Sequence, residues 1–399
     1  MNILQVCNKV PYPPHDGGSV AILNMAKSFA AHGHQVTILA MSTSKHNFSV
    51  TDIPESLTQI IKFIFVKIDT RIRPLRLVWN FLFSSLPYIA VRFINKRFEE
   101  ALSVLISQNH YDIVQLEGLY LMPYIKTIRK HSKSTISYRA HNIENEIWHR
   151  ISDNTKSRLK KIFLKRMAQR LMLYEHEIIN KYDLLVPISE DDLQTFNRMG
   201  NTKPSFLCLT GIEEHGFKND TVASDPKQLF YIGSLDWIPN QESLLWFLEN
   251  VWHDARKRYP DLQFHIAGRN APGWLVKKFS DHKVSFHGEV EDADIFMDAY
   301  AVMAVPLFAG SGLRIKIVEA MARSKAVITT DIGAQGLYAG DSEIIIANTA
   351  EDFIQAIDRL IQNRILLAGI QKNACTFARR NFNNNLIIQN LLYFYSQHA

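Results

Sequence analysis

Short apolar runs alternate with helix-length stretches along this chain, and the alternation occurs twice in succession. Strands separated in this way pair in parallel through crossover connections, which puts helices on both faces of a sheet and makes each strand a continuous apolar run. The first series reads as strands at Met1–Cys7, Gln35–Met41, Ile60–Val66, Asp112–Glu117, Thr135–Arg139 and Asp183–Ile188. Between the first two, Ile22, Leu23, Ala26, Phe29 and Ala30 recur at helical spacing and Gly33 stops the helix. The second series runs Leu229–Gly233, Gln263–Ala267, Val284–His287, Ala301–Val305 and Ala326–Thr330, with Leu244, Leu245, Leu248, Val251, Trp252 and Ala255 on one helical face. At 399 residues the chain exceeds what one hydrophobic core holds. The predicted fold class is therefore α/β, with two Rossmann-like, doubly wound parallel-sheet domains. The expected boundaries are 1–212 and 228–380, joined by a polar linker at 213–227 (EEHGFKNDTVASDPK). A last apolar helix, within 381–399, follows the second series and has the N-terminal domain as a candidate to pack on.

Ligands of open α/β sheets bind beyond the carboxyl ends of the strands, so two such domains facing across a cleft would offer several loops to one ligand. Composition removes other classes. With 47% hydrophobic and 21% charged residues the chain is neither disordered nor fibrous. Cys7, Cys208 and Cys375 lie far apart, so no Cys-x-x-Cys metal or redox pair exists and a reducing, cytoplasmic setting is expected. Met1–Cys7 carries neither a basic start nor a small-residue cleavage site, so no signal peptide is expected. The most apolar window, Val78–Ala90, contains Pro87 and is too short to cross a bilayer as a helix.

The net charge of +6 is unevenly spread. Residues 1–204 hold 27 Lys and Arg against 17 Asp and Glu, a balance of +10, and the rest hold 18 against 22, a balance of −4. Seven Lys or Arg and no acid occupy Lys156–Arg170, interleaved with Leu159, Ile162, Phe163, Leu164, Met167 and Ala168. Arg71, Arg73 and Arg76 precede the apolar window, and Arg92, Lys96 and Arg97 follow it. Basic residues beside apolar, Trp-bearing helices suit an anionic membrane surface, and ordinary solvated helix faces account for them equally well.

The most informative loop is Phe308–Glu319, FAGSGLRIKIVE, after the strand Ala301–Val305. Gly310 and Gly312 remove side chains where a helix begins, leaving N–H groups and the positive end of its dipole open to an anion. Arg314 and Lys316 then add cations to the turn where cations oppose that dipole, a placement that makes sense if a phosphate sits nearby. No Gly-Lys-Ser/Thr follows, and neither domain's first strand leads into Gly-x-Gly-x-x-Gly, which argues against a P-loop NTPase and a nicotinamide dehydrogenase.

With Glu319-Ala320-Met321-Ala322, this segment resembles the second half of the Glu-x7-Glu signature of GT-B-fold retaining glycosyltransferases of family 4, the glycosyl transferases group 1. Ser311 stands where the first glutamate belongs, as in a branch reading Gly-x-Gly-x-Arg-x-Lys-x-x-Glu-Ala. The resemblance implies that Arg314 and Lys316 clamp a diphosphate and that Glu319 accepts from the nucleotide ribose. Backbone amides from Ser311 to Leu313 would meet the donor sugar in place of the missing glutamate. Gly17-Gly18 resembles the N-terminal glycine loop near the donor phosphates, although a plain turn explains that pair equally well. Gly233-Ser234 takes the place of a Gly-Arg segment and lacks its arginine, and His287-Gly288 resembles the loop that cradles the base. His141-Asn142-Ile143-Glu144 resembles the branch's His-Asn-x-Glu segment, with His141 either contacting the sugar or leaving diphosphate or capping the next helix. Glu117 is a weaker cleft candidate.

The activity so implied is a retaining glycosyltransferase of hexosyltransferase type. It would move a sugar from a nucleoside diphosphate sugar to a hydroxyl of a glycan, lipid-linked or small-molecule acceptor in polysaccharide or glycoconjugate biosynthesis. The N-terminal domain would be the acceptor side and the C-terminal domain the donor side, with the protein cytoplasmic or peripheral on the cytoplasmic face of a membrane. No cofactor, metal or nucleic acid is expected. Asp292-Ala293-Asp294 formally matches a metal-binding Asp-x-Asp, but at a helix start these acids read as cap residues. A sugar-nucleotide epimerase, or a nucleotide-binding protein whose site has decayed at Ser311 and Ser234, are the alternatives.

Overall fold

The computed structural model describes residues 1–14, 17–43, 48–84, 86–153, 155, 157–218, 225–309 and 312–399. Gly310 and Ser311, both expected at the donor site, lie outside the described residues. The chain forms two units: Met1–Leu209 with Ile388–Ala399, and Thr210–Ile387.

Unit 1 holds a six-stranded sheet in the order β3-β2-β1-β4-β5-β6. Its strands are β1 (Asn2–Cys7), β2 (Gln35–Ser42), β3 (Ile61–Lys67), β4 (Ile113–Glu117), β5 (Thr135–Ala140) and β6 (Leu184–Pro187). All neighbours pair in parallel, with Val6 opposite Leu39 on one side and Leu116 on the other. Apart from the edge strand β3, where Lys62 and Lys67 are exposed, the strands are buried on both faces, which is why they read as mostly apolar runs rather than alternating ones. The strand order reverses between β1 and β4, so the loops after these two strands diverge there and leave room for a ligand.

Unit 2 repeats the plan in the order β12-β11-β10-β7-β8-β9. Here β7 is Gln228–Ile232, β8 Gln263–Ala267, β9 Ser285–Phe286, β10 Val302–Val305, β11 Ala326–Thr329 and β12 Ile345–Ile346. The reversal lies between β7 and β10. Strand β12 is absent from the sequence reading, because two residues beside a polar turn carry no period to recognise.

The division of the chain differs from the expected one at both crossings. The described start of the expected linker is tied into unit 2. Glu213 accepts from Asn384 Nδ2 (2.9 Å), Glu214 from Asn383 Nδ2 (2.8 Å) and from Arg379, and Ala322 O accepts from the Lys218 amide (3.0 Å). Unit 2 therefore begins at Thr210 and extends to Ile387 rather than residue 380. The last helix, Asn384–Ser396, ends in unit 1. There the buried Tyr395 hydroxyl donates to Gln115 Oε1 (2.7 Å) and lies 2.8 Å from Ser137 Oγ, while His398 O accepts from Thr135 Oγ1 (2.7 Å).

Candidate functional site

In unit 2 the loops after β7 and β10 leave the sheet at its reversal point. The loop after β10 leads into helix Ile315–Ala322, with Arg314 at its N-cap and no acid in its first turn. Gly312 adopts φ +81°, a left-handed conformation that glycine accepts without steric cost, and Leu313 packs where a Cβ on Gly336 would begin to touch it.

Lys316 points inward. Its Nζ donates to the Tyr231 hydroxyl (2.7 Å) and to Asn240 Oδ1 (3.1 Å), and it sits 4.2 Å from the Tyr231 ring centroid. A Cβ on Gly233 would come within 3.3 Å of Nζ and 3.2 Å of the Tyr231 hydroxyl, so a side chain at that strand end would press on both groups. Asn240 also donates through Nδ2 to Ser234 O (2.7 Å), which joins the two loops. Burial, and then the neighbouring Arg314 charge, lower the Lys316 pKa to about 7. Arg314 is itself 8% exposed and lowered by burial, with its guanidinium 5.9 Å from the Trp237 ring centroid. Two cations are thus crowded together at the positive end of a helix dipole. A phosphate placed there would relieve both their desolvation and their mutual repulsion.

Glu319, one turn further along, is pushed up by burial and by Asp294, against the lowering effect of Arg323. Its carboxyl therefore holds a proton more readily than an ordinary glutamate, a state that hydroxyl groups of a ligand would reverse by hydrogen-bonding to the charged form.

Ser234 takes no part as a cation. Its hydroxyl donates to Asp236 (2.6 Å) and accepts from Arg269 Nε (3.3 Å). Arg269 follows β8 and brings a positive side chain beside Ser234. The sequence reading missed it, together with Tyr231 and Asn240. The Gly268-Arg269 pair at a strand end was the available signal. A Cβ on Gly268 would lie 2.1 Å from Gly233 O, so that glycine is obligatory for the two loops to meet.

His287, just past β9, has its Nε2 3.1 Å from His265 Nδ1, and its ring packs edge-on to Phe296. Burial, with the His287 charge adding to it, lowers His265 to about 4, so it is neutral near pH 7. Gly288 has φ +68° and its carbonyl accepts from the Gly268 amide (2.8 Å), which fixes this loop to the one after β8.

The Asp292 carboxylate accepts from the amides of Asp294 (2.7 Å) and Ile295 (3.1 Å), the cap role read from the sequence. Asp294 pairs with Arg323 (3.0 Å). Among the described residues no group of three or more His, Cys, Asp or Glu is arranged to hold a metal.

In unit 1, Glu117 ends β4 as a fully buried carboxylate rather than a cleft-facing one. It accepts from Arg139 Nη1 (3.3 Å), Gln5 Nε2 (3.1 Å) and Gln115, and it meets His141 Nε2 at 2.7 Å. Burial alone would raise its pKa, but Arg139 and His141 outweigh that and hold it low. This contact fixes the His141 ring: Nε2 faces the carboxylate and Nδ1 is the nitrogen left to meet a ligand. His141 is 19% exposed. Gly17 begins helix Gly17–Ala31, and a Cβ there would meet nothing within 4 Å; Gly18 follows it in the same helix.

The next helix, Glu144–Asp153, is capped by a remote carboxylate. Glu175 accepts from the amides of Glu144 (2.8 Å) and Asn145 (3.2 Å) and from Asn145 Nδ2. Glu144 in turn accepts from the Tyr120 hydroxyl (2.6 Å). Burial raises Glu175 from 4.5 to about 7, more than these hydrogen bonds lower it. The folded state therefore holds this proton more tightly than the unfolded chain does. Its contribution to stability is complete below about pH 4.5 and is lost as pH rises through about 7. Thermal melts of Glu175→Gln are expected to show a flatter pH dependence between those values than wild type. An unchanged slope would remove the assignment.

Two doubly wound parallel sheets in succession are the GT-B fold. Residues 226–363 match the family model described as Glycosyl transferases group 1. Among solved structures, sucrose-phosphate synthase from Thermosynechococcus elongatus is 17% identical, with a TM-score of 0.66 over 100% of this chain and 99% of that one. HepE of Anabaena in complex with UDP is 14% identical, with a TM-score of 0.64 over 100% of both chains. S. aureus TarM, in a complex that contains UDP, is 11% identical with a TM-score of 0.61 over 99% of both. A curated relative described as an uncharacterized 44.6 kDa protein in the cps region of Klebsiella pneumoniae is 23% identical over 98% of both chains.

Proposed function

We propose that the protein transfers a hexosyl group from a nucleoside diphosphate sugar to an acceptor hydroxyl, with retention of anomeric configuration. The observation that carries this reading is the placement of Arg314 and Lys316 together at a helix start, the first buried and the second turned inward onto Tyr231 and Asn240, beside the glycine-bounded loop after β7. As the glycosidic bond breaks, negative charge gathers on the departing diphosphate while the sugar becomes oxocarbenium-like. Cations already fixed in place stabilise that charge without reorganising. Arg269 adds to the same electrostatic field, which favours a working site over a decayed one. Glu319 accepts from the ribose hydroxyls, and the loop of His287 and Gly288 receives the base. His141, oriented by Glu117, hydrogen-bonds the transferred sugar or the leaving diphosphate. The transfer needs no metal, consistent with the Asp292 and Asp294 carboxylates being engaged by backbone amides and Arg323.

The acceptor we propose is lipid-linked or otherwise membrane-proximal, in polysaccharide or glycoconjugate biosynthesis, with the protein peripheral on the cytoplasmic face of a membrane. Among the described residues no helix is long and apolar enough to cross a membrane. The curated relative's place in a cps region agrees with this setting. The neighbours solved with UDP make UDP-sugars the first donors to try.

The test is a thermal-shift screen against UDP, GDP, ADP, CMP and TDP, followed by incubation with sugars of the nucleotide that binds. A ligand at 100 times its Kd raises native stability by about 2.7 kcal/mol, a readily measured shift. One nucleotide is expected to stabilise the protein, and its sugar to release the free diphosphate in the presence of chelator. Epimerised nucleotide sugar formed without an acceptor would instead mark an epimerase, and binding without release from any donor would mark a decayed site.

A further inference from the structure

The segment from Asp69 to Asn95 takes no part in the nucleotide chemistry, yet it exposes more apolar side chain than a solvated helix tolerates. Helix Pro74–Phe83 has two faces. Leu77, Asn80 and Phe81 turn inward, where Phe81 packs tilted against Phe163 (5.3 Å) and Arg170 donates to Asn80 O (2.9 Å) and Phe81 O (2.8 Å). The opposite face, at i, i+3, i+4, i+7 and i+8, consists of Leu75 (86% exposed), Val78 (57%), Trp79 (63%), Leu82 (55%) and Phe83 (71%). The helix is anchored on one side and uncovered on the other.

Beside it lies a cavity of about 500 Å³. Leu75 and Trp79 line it together with Arg71, Arg73, Arg76 and Arg92 and a single acid, Asp69. Asp69 is held by Arg71 and Arg73 (3.0 Å each), and Arg92 donates through Nε to Thr70 O (2.8 Å), so these three guanidinium groups are fixed around the opening. Four cations against one anion leave the cavity positive.

We propose that this helix and its arginine cradle dock on an anionic lipid surface, with a lipid headgroup phosphate in the cradle and the Leu75, Trp79 and Phe83 face among the acyl chains. The occupant must be apolar and anionic at once, because the exposed face and the cationic cavity share residues. A second copy of the chain would bring a second set of the same arginines and add like charge. A lipid headgroup supplies both complements: phosphate for the guanidinium fork and hydrocarbon for the helix face. Lys160, Lys165 and Arg166, exposed on the helix Arg158–Ile178 that holds the anchored face, extend the positive field. From the preceding reading the proposal takes only that the acceptor is carried on lipid.

The test is flotation of the full chain with vesicles of phosphatidylcholine, alone or mixed with phosphatidylglycerol, for wild type, Leu75→Ser/Trp79→Ser and Arg73→Gln/Arg76→Gln. Wild type is expected to float with the mixed vesicles and not with phosphatidylcholine alone. The arginine pair should lose about fivefold in partition per cation removed, and the apolar pair at least about tenfold. Wild type remaining unbound, floating equally on both vesicles, or floating no better than either variant would overturn the proposal. So would calorimetric binding of inorganic phosphate, or capture of a protein partner, without vesicle binding. Nucleoside diphosphate binding measured on the same samples separates the two readings. If it persists while flotation fails, only the lipid site falls; if it is absent while flotation succeeds, only the transferase reading falls.

Discussion

Lys316→Ala is expected to lower kcat by a factor of about 10² to 10³ with the domain still folded, the usual consequence of losing one preorganised charge from a site of developing anionic charge. The substitution removes an ammonium whose Nζ donates to the Tyr231 hydroxyl and to Asn240 Oδ1, both neutral groups, so no buried carboxylate is stranded by it. Arg314, relieved of its neighbour's repulsion, stays in place. Stability should therefore change little while turnover collapses. The pH dependence gives a second handle on the same group. The unliganded ammonium loses its proton near pH 7, so above that value an incoming diphosphate must draw a proton from solution to restore the clamp. Nucleoside diphosphate affinity is expected to fall as pH rises through about 7, with proton uptake visible as a buffer-dependent enthalpy. In Lys316→Ala both the pH dependence and the proton uptake should shrink to what the nucleotide's own terminal phosphate contributes. If the variant turns over normally, the clamp assignment fails.

Glu117→Ala is expected to destabilise unit 1 by about 3–5 kcal/mol, the cost of leaving a buried charge without its counterion. Arg139 is 5% exposed, and the same carboxylate also takes hydrogen bonds from Gln5, Gln115 and His141. Because the pKa of Glu117 is held low in the folded state, this stability is present above the ordinary carboxylate range and is lost as pH falls through the lowered value. Urea melts at neutral pH should show a large drop in midpoint, and the difference between wild type and variant should narrow toward acid. Glu117→Gln keeps the shape and an acceptor oxygen. Like the alanine it leaves Arg139 without its counterion, so it is expected to lose part of the same stability while still folding and binding nucleotide, and to lower turnover because a neutral amide holds His141 Nε2 less strongly than a carboxylate does. Full turnover in that variant would leave Glu117 a purely structural group.

Both sheets were legible because parallel strands covered on two faces are mostly apolar, and β1, β2, β4, β5, β8 and β10 stand out as such despite buried polar residues like Gln5, Gln115 and Arg139. Strand β12 was not, since two residues have no pattern. The helix start at Arg314 was legible from glycines and misplaced cations in one short window. Arg269 was hidden because its partner, Ser234, lies 35 residues earlier, and only the pairing of β7 with β8 brings them together. The role of Glu117 was hidden for the same reason: 24 residues separate it from His141, and its full burial is a property of the sheet. The apolar window at Val78–Ala90 could be read as apolar, but which of its side chains the helix Arg158–Ile178 covers is decided only by packing.

The central claim is that Arg314 and Lys316 hold a nucleoside diphosphate. Calorimetric titration of UDP, GDP, ADP, CDP and TDP into wild type and into Arg314→Ala/Lys316→Ala tests it most directly. The account predicts that one of these binds wild type and that the double variant loses at least about 100-fold in affinity, in line with the loss of two charge-assisted contacts. Equal affinity in the two proteins, or no binding of any of the five to wild type, would contradict it.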